Sequence, residues 1–198
     1  FALGGAMANA INNMLADTGL SVTVQSTGAS VENINLMHAG EMDLGIAMNN
    51  VAANAYEGTG AFADTGAIDD VMAIGVVYNE VYQIVANANT GAKNVEDLKG
   101  LKIAIGPAGS GTLGLSQKVF TAAGLDPDKD IQPQSDSFGD AATKMQDGHI
   151  DAACNVLAVP ASSIVEMTTS MKLAYVNISD EILADIQKEA PYFTRKVI

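Results

Sequence analysis

The sequence holds one cysteine, Cys154, no tryptophan and a single arginine, Arg195, in 198 residues. One cysteine excludes an intramolecular disulfide and any cysteine-rich metal centre. Lysine and arginine together number 10 against 23 acidic residues, a net charge of −13. That balance excludes a nucleic-acid partner, because holding phosphates takes clustered cations, and the lysines here are scattered. Aromatic residues are only 5% while hydrophobic residues reach 48%, so Ala, Val, Ile and Met must fill the core. Methionine is an adaptable filler for such a core. The longest apolar runs, such as Val71 to Tyr78, fall far short of the roughly 20 residues that cross a bilayer. No His, Cys and Asp cluster has metal-ligand spacing, so neither a metal nor another cofactor is expected. The chain opens on Phe1 rather than Met, without a signal peptide, which reads as a processed or truncated start.

What is present is a repeat. "MHAGEMDLGIAMNN" at 37–50 is similar to "MQDGHIDAACNVLA" at 145–158. Met37, Gly40 and Asp43 correspond to Met145, Gly148 and Asp151, each 108 residues on (145 − 37). "LADTGL" at 15–20 similarly resembles "FTAAGL" at 120–125. Each copy reads as a helix, a Gly C-cap and a buried strand. The second copy predicts strands at 101–105, around 131–134 and at 150–156, with helices at 112–123 and 138–147. The first predicts helices at about 3–16 and 30–39, with strands at 21–25 and 43–48. Its opening strand and Gly loop are not there, so roughly ten or more residues are expected before Phe1, the length a strand and loop take. Between the copies, Ala73–Val77 and Tyr82–Ala86 read as strands crossing from one lobe to the other. Alternating strands and helices predict an α/β fold of helix-covered sheets.

In such sheets ligands bind beyond the carboxyl ends of strands, at helix N-termini. Those positions hold Ser26-Thr27-Gly28-Ala29-Ser30, Asn49-Asn50, Pro107-Ala108-Gly109-Ser110-Gly111-Thr112 and Ser135-Asp136-Ser137-Phe138. Free amides, hydroxyls and the helix dipole favour an anion at such turns. The candidate ligand-binding residues are therefore Ser26, Thr27, Gly28, Ser30, Asn49, Asn50, Gly109, Ser110, Gly111 and Thr112. Tyr78, in the crossover, and Phe138, at a helix start, are added as groups that could lean on a ligand.

Blander readings stand beside these. Ser30 with Asn33 is an ordinary cap pattern, and Phe138 is equally a hydrophobic staple. Glu80 reads as a solvated hinge charge. Gly109-Ser110-Gly111-Thr112-Leu113-Gly114 fits a dinucleotide fingerprint by its letters alone, and a phosphate loop would need a lysine after Gly111, where Thr112 stands. Cys154 follows a buried strand pattern. His38 and His149 sit beside the Gly residues that end their helices, where an exposed His complements the dipole. No nucleophile and base stand in register, so no catalytic residue is assigned and no enzymatic activity is expected.

The stretches "STGASVENINLMHAGEMDLGIAMNNVAANAYEGTGAF", "VYNEVYQIVANANTGAKNVEDLKGLKIAIGPAGSGT" and "DSFGDAATKMQDGHIDA" together resemble the TAXI family, the solute receptors of tripartite ATP-independent periplasmic (TRAP) transporters. The resemblance covers nearly the whole chain in order. It implies a two-lobed, type II (Venus-flytrap) periplasmic-binding-protein-like fold that captures a small organic anion, commonly a dicarboxylate or an acidic amino acid. It implies a periplasmic location and delivery of the solute to TRAP membrane subunits. Family members begin with a strand and Gly/Thr-rich loop ahead of a Tyr/Phe-x-Leu-Gly-Gly turn, of which Phe1-Ala2-Leu3-Gly4-Gly5 remains, and they continue beyond "YFTRKVI". A division into lobe one (1–80, incomplete), lobe two (81–190), hinge strands within 73–86 and a return segment from 191 is expected, as is a monomer. A sensing domain of a signalling protein, or a transferase holding phosphate in the Gly loop, are the competing readings. The scarcity of cations in the loops argues against the transferase, since phosphates recruit them.

Overall fold

The computed structural model describes residues 2–198. Helices α1 (Ala2–Met14), α2 (Ser30–His38) and α3 (Asn49–Glu57) come first. Then strand β1 (Val81–Asn87) enters a sheet with β2 (Lys102–Ala104), β3 (Gln132–Gln134), β4 (Ala152–Leu157) and β5 (Leu173–Val176). Helices α4 (Gly111–Ala122), α5 (Phe138–Gln146), α6 (Ser162–Thr168) and α7 (Asp180–Gln187) connect the strands and follow them. The sheet order is β3-β2-β4-β1-β5. β2 runs parallel to β3 and β4, whereas β1 is antiparallel to β4 and β5.

Side-chain alternation along the strands divides the core into two layers. Ile84, Ala86, Ile103, Ala152, Cys154 and Val156 face Leu115, Val119 and Phe120 of α4 and Ile182 and Ile186 of α7. Val85, Ala104 and Ala153 face the other way, onto Ala141 and Met145 of α5 and Ile164 and Met167 of α6. A third cluster, Ile34, Val51, Ala55, Phe62 and Ile68, belongs to α2, α3 and the turn after them. Met48 packs against both this cluster and the α4 layer, so one flexible side chain spans the two halves of the molecule.

The repeat survives into the backbone. Gly40 and Gly148 take φ of 71° and 73°, the left-handed conformation a residue with a Cβ disfavours. Around them the hydrogen bonds match: Gly40 N–H to Met37 O and Glu41 N–H to Leu36 O recur as Gly148 N–H to Met145 O and His149 N–H to Lys144 O. Gly19 and Gly124 also pair, at φ 75° and 77°.

Three expected strands are not formed. Residues 21–25, 43–48 and 73–77 are extended chain with no ladder partner among the described residues. A strand is defined by its neighbour, and here side-chain amides take that place. Asn12 exchanges two bonds with Val22, at 2.7 and 2.9 Å, and Asn33 Nδ2 donates to Ile46 O at 2.8 Å. The alternating apolar side chains consequently lie open: Met72, Ile74 and Val76 are 84–87% exposed, with Val24, Leu44 and Ile46 exposed too. The crossover thus contains one strand, β1, rather than two.

Candidate functional site

The second copy's Gly loop follows β2 directly. Ile105 N–H still bonds Gln134 O at 2.9 Å, and Gly106 then turns with φ 109°. A Cβ on Gly106 would lie 2.8 Å from Leu113 N and 2.9 Å from Thr112, so the loop closes tightly on the first turn of α4. Ser110 is the N-cap, its Oγ accepting from Leu113 N–H at 3.1 Å. Thr112 is fully buried. As the first two residues of α4, Gly111 and Thr112 have amides with no acceptor inside the helix.

The first copy's turn is built differently from the cap pattern expected of it. Ala29, not Ser30, is the N-cap of α2, and it has no side-chain bond to offer. Ser30 is the first helical residue, buried, with its Oγ accepting from Met48 N–H at 3.1 Å. It joins the start of α2 to the entry of α3. Thr27 donates through Oγ1 to Asn33 Oδ1 at 2.6 Å, and the Gly28 amide donates to the Glu32 carboxylate. Ala29 sits at φ 140°, ψ −152°, a region populated essentially by glycine and costing of order 1–3 kcal/mol.

These two turns face one another. Val31 N–H donates to Gly109 O at 3.3 Å. A Cβ on Gly28 would lie 3.8 Å from the Ala108 carbonyl oxygen, and one on Gly111 only 2.4 Å from Met48 Sδ and 2.8 Å from Val51 Cγ2. A cavity of about 380 Å³ lies on one side of the contact, lined by Gly28, Val31, Glu32, Asn35, Ala108 and Gly109 among others. A larger one of about 540 Å³ runs between α3, α4 and α7 and includes Asn50, Asn54, Ser110, Gly111, Gln117 and Lys118. Asn50 Oδ1 is buried without a hydrogen-bond donor. Such an acceptor loses its water and gains nothing in exchange, at a cost of about 1–3 kcal/mol.

Of the residues singled out from sequence, Gly28, Asn50, Gly109, Ser110 and Gly111 line these two cavities. Ser26 and Asn49 are exposed, and Thr27, Ser30 and Thr112 support the turns from behind. Tyr78 and Phe138 line neither cavity. The Tyr78 hydroxyl donates to Glu80 at 2.7 Å, and that bond to a carboxylate pushes its pKa up to about 12. Phe138 is the half-buried first residue of α5, behind the N-cap Ser137. Sequence reasoning missed Glu32, although a carboxylate four residues after a helix-opening Gly is a readable pattern. It also missed the wall made by α7 and the turn after it, where Asp185 and Glu189 line the larger cavity.

The charges of that wall are paired. Lys118 bonds Glu189 at 2.6 Å and Lys188 bonds Asp185 at 2.5 Å. Lys118 is therefore a cation already partly neutralised rather than one reserved for a ligand. Behind the cleft, Tyr82 donates to Ser116 Oγ at 3.1 Å beside buried Cys154. Burial raises the thiol to about 11 and the phenol well above its usual range. Both are neutral core groups at physiological pH, unsuited to nucleophilic chemistry. Among the described residues no group of three His, Cys, Asp or Glu could hold a metal ion, and no helix is long and apolar enough to cross a membrane.

The sequence profile of the NMT1-like family matches residues 1–198. The chain belongs to the NMT1-like family. Among solved structures it is similar to a binding protein component of an ABC phosphonate transporter from Pseudomonas aeruginosa, with TM-score 0.61, 17% identity and coverage of 94% of this chain and 68% of that one. The periplasmic aliphatic sulphonate binding protein SsuA from Escherichia coli gives TM-score 0.53 at 21% identity, covering 88% of this chain and 56% of that one. The amino acid ABC transporter substrate-binding protein AbpA from Streptococcus pneumoniae, bound to L-arginine, gives 0.53 at 15% identity, with 92% and 75% covered. The chain thus spans little more than half the length of the sulphonate-binding proteins it matches, 56% and 55%. At these identities the likeness is one of fold. This member of the NMT1-like family has the α/β, two-lobed, type II periplasmic-binding-protein fold.

Proposed function

We propose that this protein is an extracytoplasmic, periplasmic solute receptor that captures a small organic anion between two lobes, without transforming it, and passes it to membrane transport subunits. Residues 1–80 form lobe one, 81–190 lobe two, and 191–198 begin a return segment. The observation that carries the reading is the opposition of the two helix-opening turns, held by the bond from Val31 N–H to Gly109 O. Cavities flank that contact on both sides, so a solute can exchange with it as the lobes part and close. The ligand is a dicarboxylate or an acidic amino acid such as glutamate. It is held by the amides of Gly28, Gly109 and Gly111, the Ser110 hydroxyl and the Asn50 side chain. A carboxylate at these donors suits the helix dipoles, and the lack of an unpaired cation beside them favours one net negative charge over two.

The membrane partner is of the TRAP type, on the sequence resemblance to TAXI receptors. ABC permeases are the second reading, because several of the similar solved structures are described as components of ABC transporters. Co-purification with each class of membrane subunit decides between them. For the ligand, differential scanning fluorimetry and titration calorimetry with succinate, L-glutamate, L-arginine and an alkanesulfonate make the test. A binder at 100 times its dissociation constant raises stability by about 2.7 kcal/mol. No shift with any of the four at millimolar concentration overturns the receptor reading.

A further inference from the structure

One of the donors assigned to the solute already holds a carboxylate. The Gly28 amide donates to Glu32, which stands in the first turn of α2. The contact fills the turn, since a Cβ on Gly28 would come within 2.8 Å of Glu32 Oε2. It also lies between the lobes, because Gly28 and Glu32 line the 380 Å³ cavity together with Ala108 and Gly109 of the opposite loop. The Glu32 side chain is exposed and forms no ion pair among the described residues.

We infer that Glu32 is a resident anion of the donor turn, occupying the Gly28 amide in the empty receptor and vacating it when a solute carboxylate arrives. This rests on the receptor reading above. A single amide makes one strong bond, so Glu32 and a solute carboxylate exclude each other at that atom. Both are favoured there by the same cause, the positive end of α2. The exchange trades one carboxylate–amide bond for another, so Gly28 contributes little net affinity while Glu32 is present. The displaced Glu32 also keeps its negative charge near the entering anion. The residue therefore sets the affinity of the turn: it weakens binding of every carboxylate solute and leaves the ligand to find its remaining affinity elsewhere in the cleft.

The test compares wild type with Glu32→Gln and Glu32→Ala, using succinate and L-glutamate as calorimetric probes and the Gly28 amide resonance as a direct reporter. Glu32→Ala is expected to bind the better probe about tenfold more tightly, since a hydrogen bond to a charged group is worth roughly this much. Glu32→Gln, which keeps the shape but loses the charge, falls between the two. The Gly28 proton moves upfield in both ligand-free variants and returns downfield on adding the probe. Equal or weaker binding by Glu32→Ala, with the wild type still binding, overturns this inference and leaves the receptor reading standing. An unmoved Gly28 resonance in the ligand-free variants also overturns it. No binding by any of the three proteins removes the receptor reading and this inference together.

Discussion

Val31, the second residue of α2, donates its amide to the carbonyl of Gly109 in the loop before α4, at 3.3 Å. The two residues are far apart in sequence and belong to different copies of the repeat. Because the bond is between backbones, it asks for no particular side chain. It asks instead that both turns bring the main chain to the surface, which Gly28 and Gly109 permit.

Ala29 holds a backbone conformation that only glycine enters freely. Ala29→Gly is expected to stabilise the protein by about 1 kcal/mol, the lower end of the strain range, since glycine also loses more entropy on folding. Urea denaturation checks it: the midpoint should rise with an unchanged slope.

Gly111 has no room for a methyl group, because Met48 Sδ and Val51 Cγ2 occupy that space. Gly111→Ala should destabilise by about 1–3 kcal/mol through overpacking. Met48 is the flexible neighbour and the bridge between the core clusters. Adding Met48→Ala should recover part of the loss, so a double-mutant cycle should show coupling. Independent, additive costs would mean that the two residues do not touch in solution.

Asn50 carries a buried oxygen with no donor. Asn50→Leu removes that unmet acceptor at similar volume and is expected to stabilise the ligand-free protein by about 1 kcal/mol. The same change should abolish or sharply reduce ligand-induced stabilisation. Melting curves with and without the best probe read both effects. A variant that still responds fully to ligand would remove Asn50 from the site.

Cys154 and Tyr82 form a buried pair whose pKa values are raised by burial. A raised pKa in the fold means the fold favours the neutral form. That contribution is complete below the ordinary cysteine value of 9.0 and is lost as pH climbs through about 11. Stability should therefore be flat to about pH 9 from these groups and fall between pH 9 and 11, less steeply in Cys154→Ala. At pH 8 a thiol reagent should react only after denaturant is added, since the thiol is inaccessible.

The sheet half of the molecule was legible because its signals are local. The runs at 101–105, 131–134 and 150–156 fall on β2, β3 and β4, and Ser110 and Ser137 cap the helices that follow. Gly40 and Gly148 mark matching helix ends because no other residue enters that backbone region at so little cost. The meeting of the two helix-opening turns was expected from the repeat, although the first of them follows extended chain rather than a strand. What the residues around 21–25, 43–48 and 73–77 could not state is whether a neighbour would pair with them. Alternation reports a strand's readiness to pair, whereas pairing depends on distant chain.

The sequence alone therefore determined the second copy's strands and serine caps, the glycine helix ends of both copies and the residue types gathered at the helix mouths, all of which depend on neighbours within a few positions. Only the tertiary structure decided that Glu32 bonds the Gly28 amide, that Met48 bridges two cores, and that α7 and the turn after it wall the larger cavity with Asp185 and Glu189. The reason is physical: packing α7 on α4 brings Lys118 to Glu189 across 71 residues of chain. No local preference specifies such a meeting; it arises when apolar faces are buried together and the polar groups left at their edges find partners.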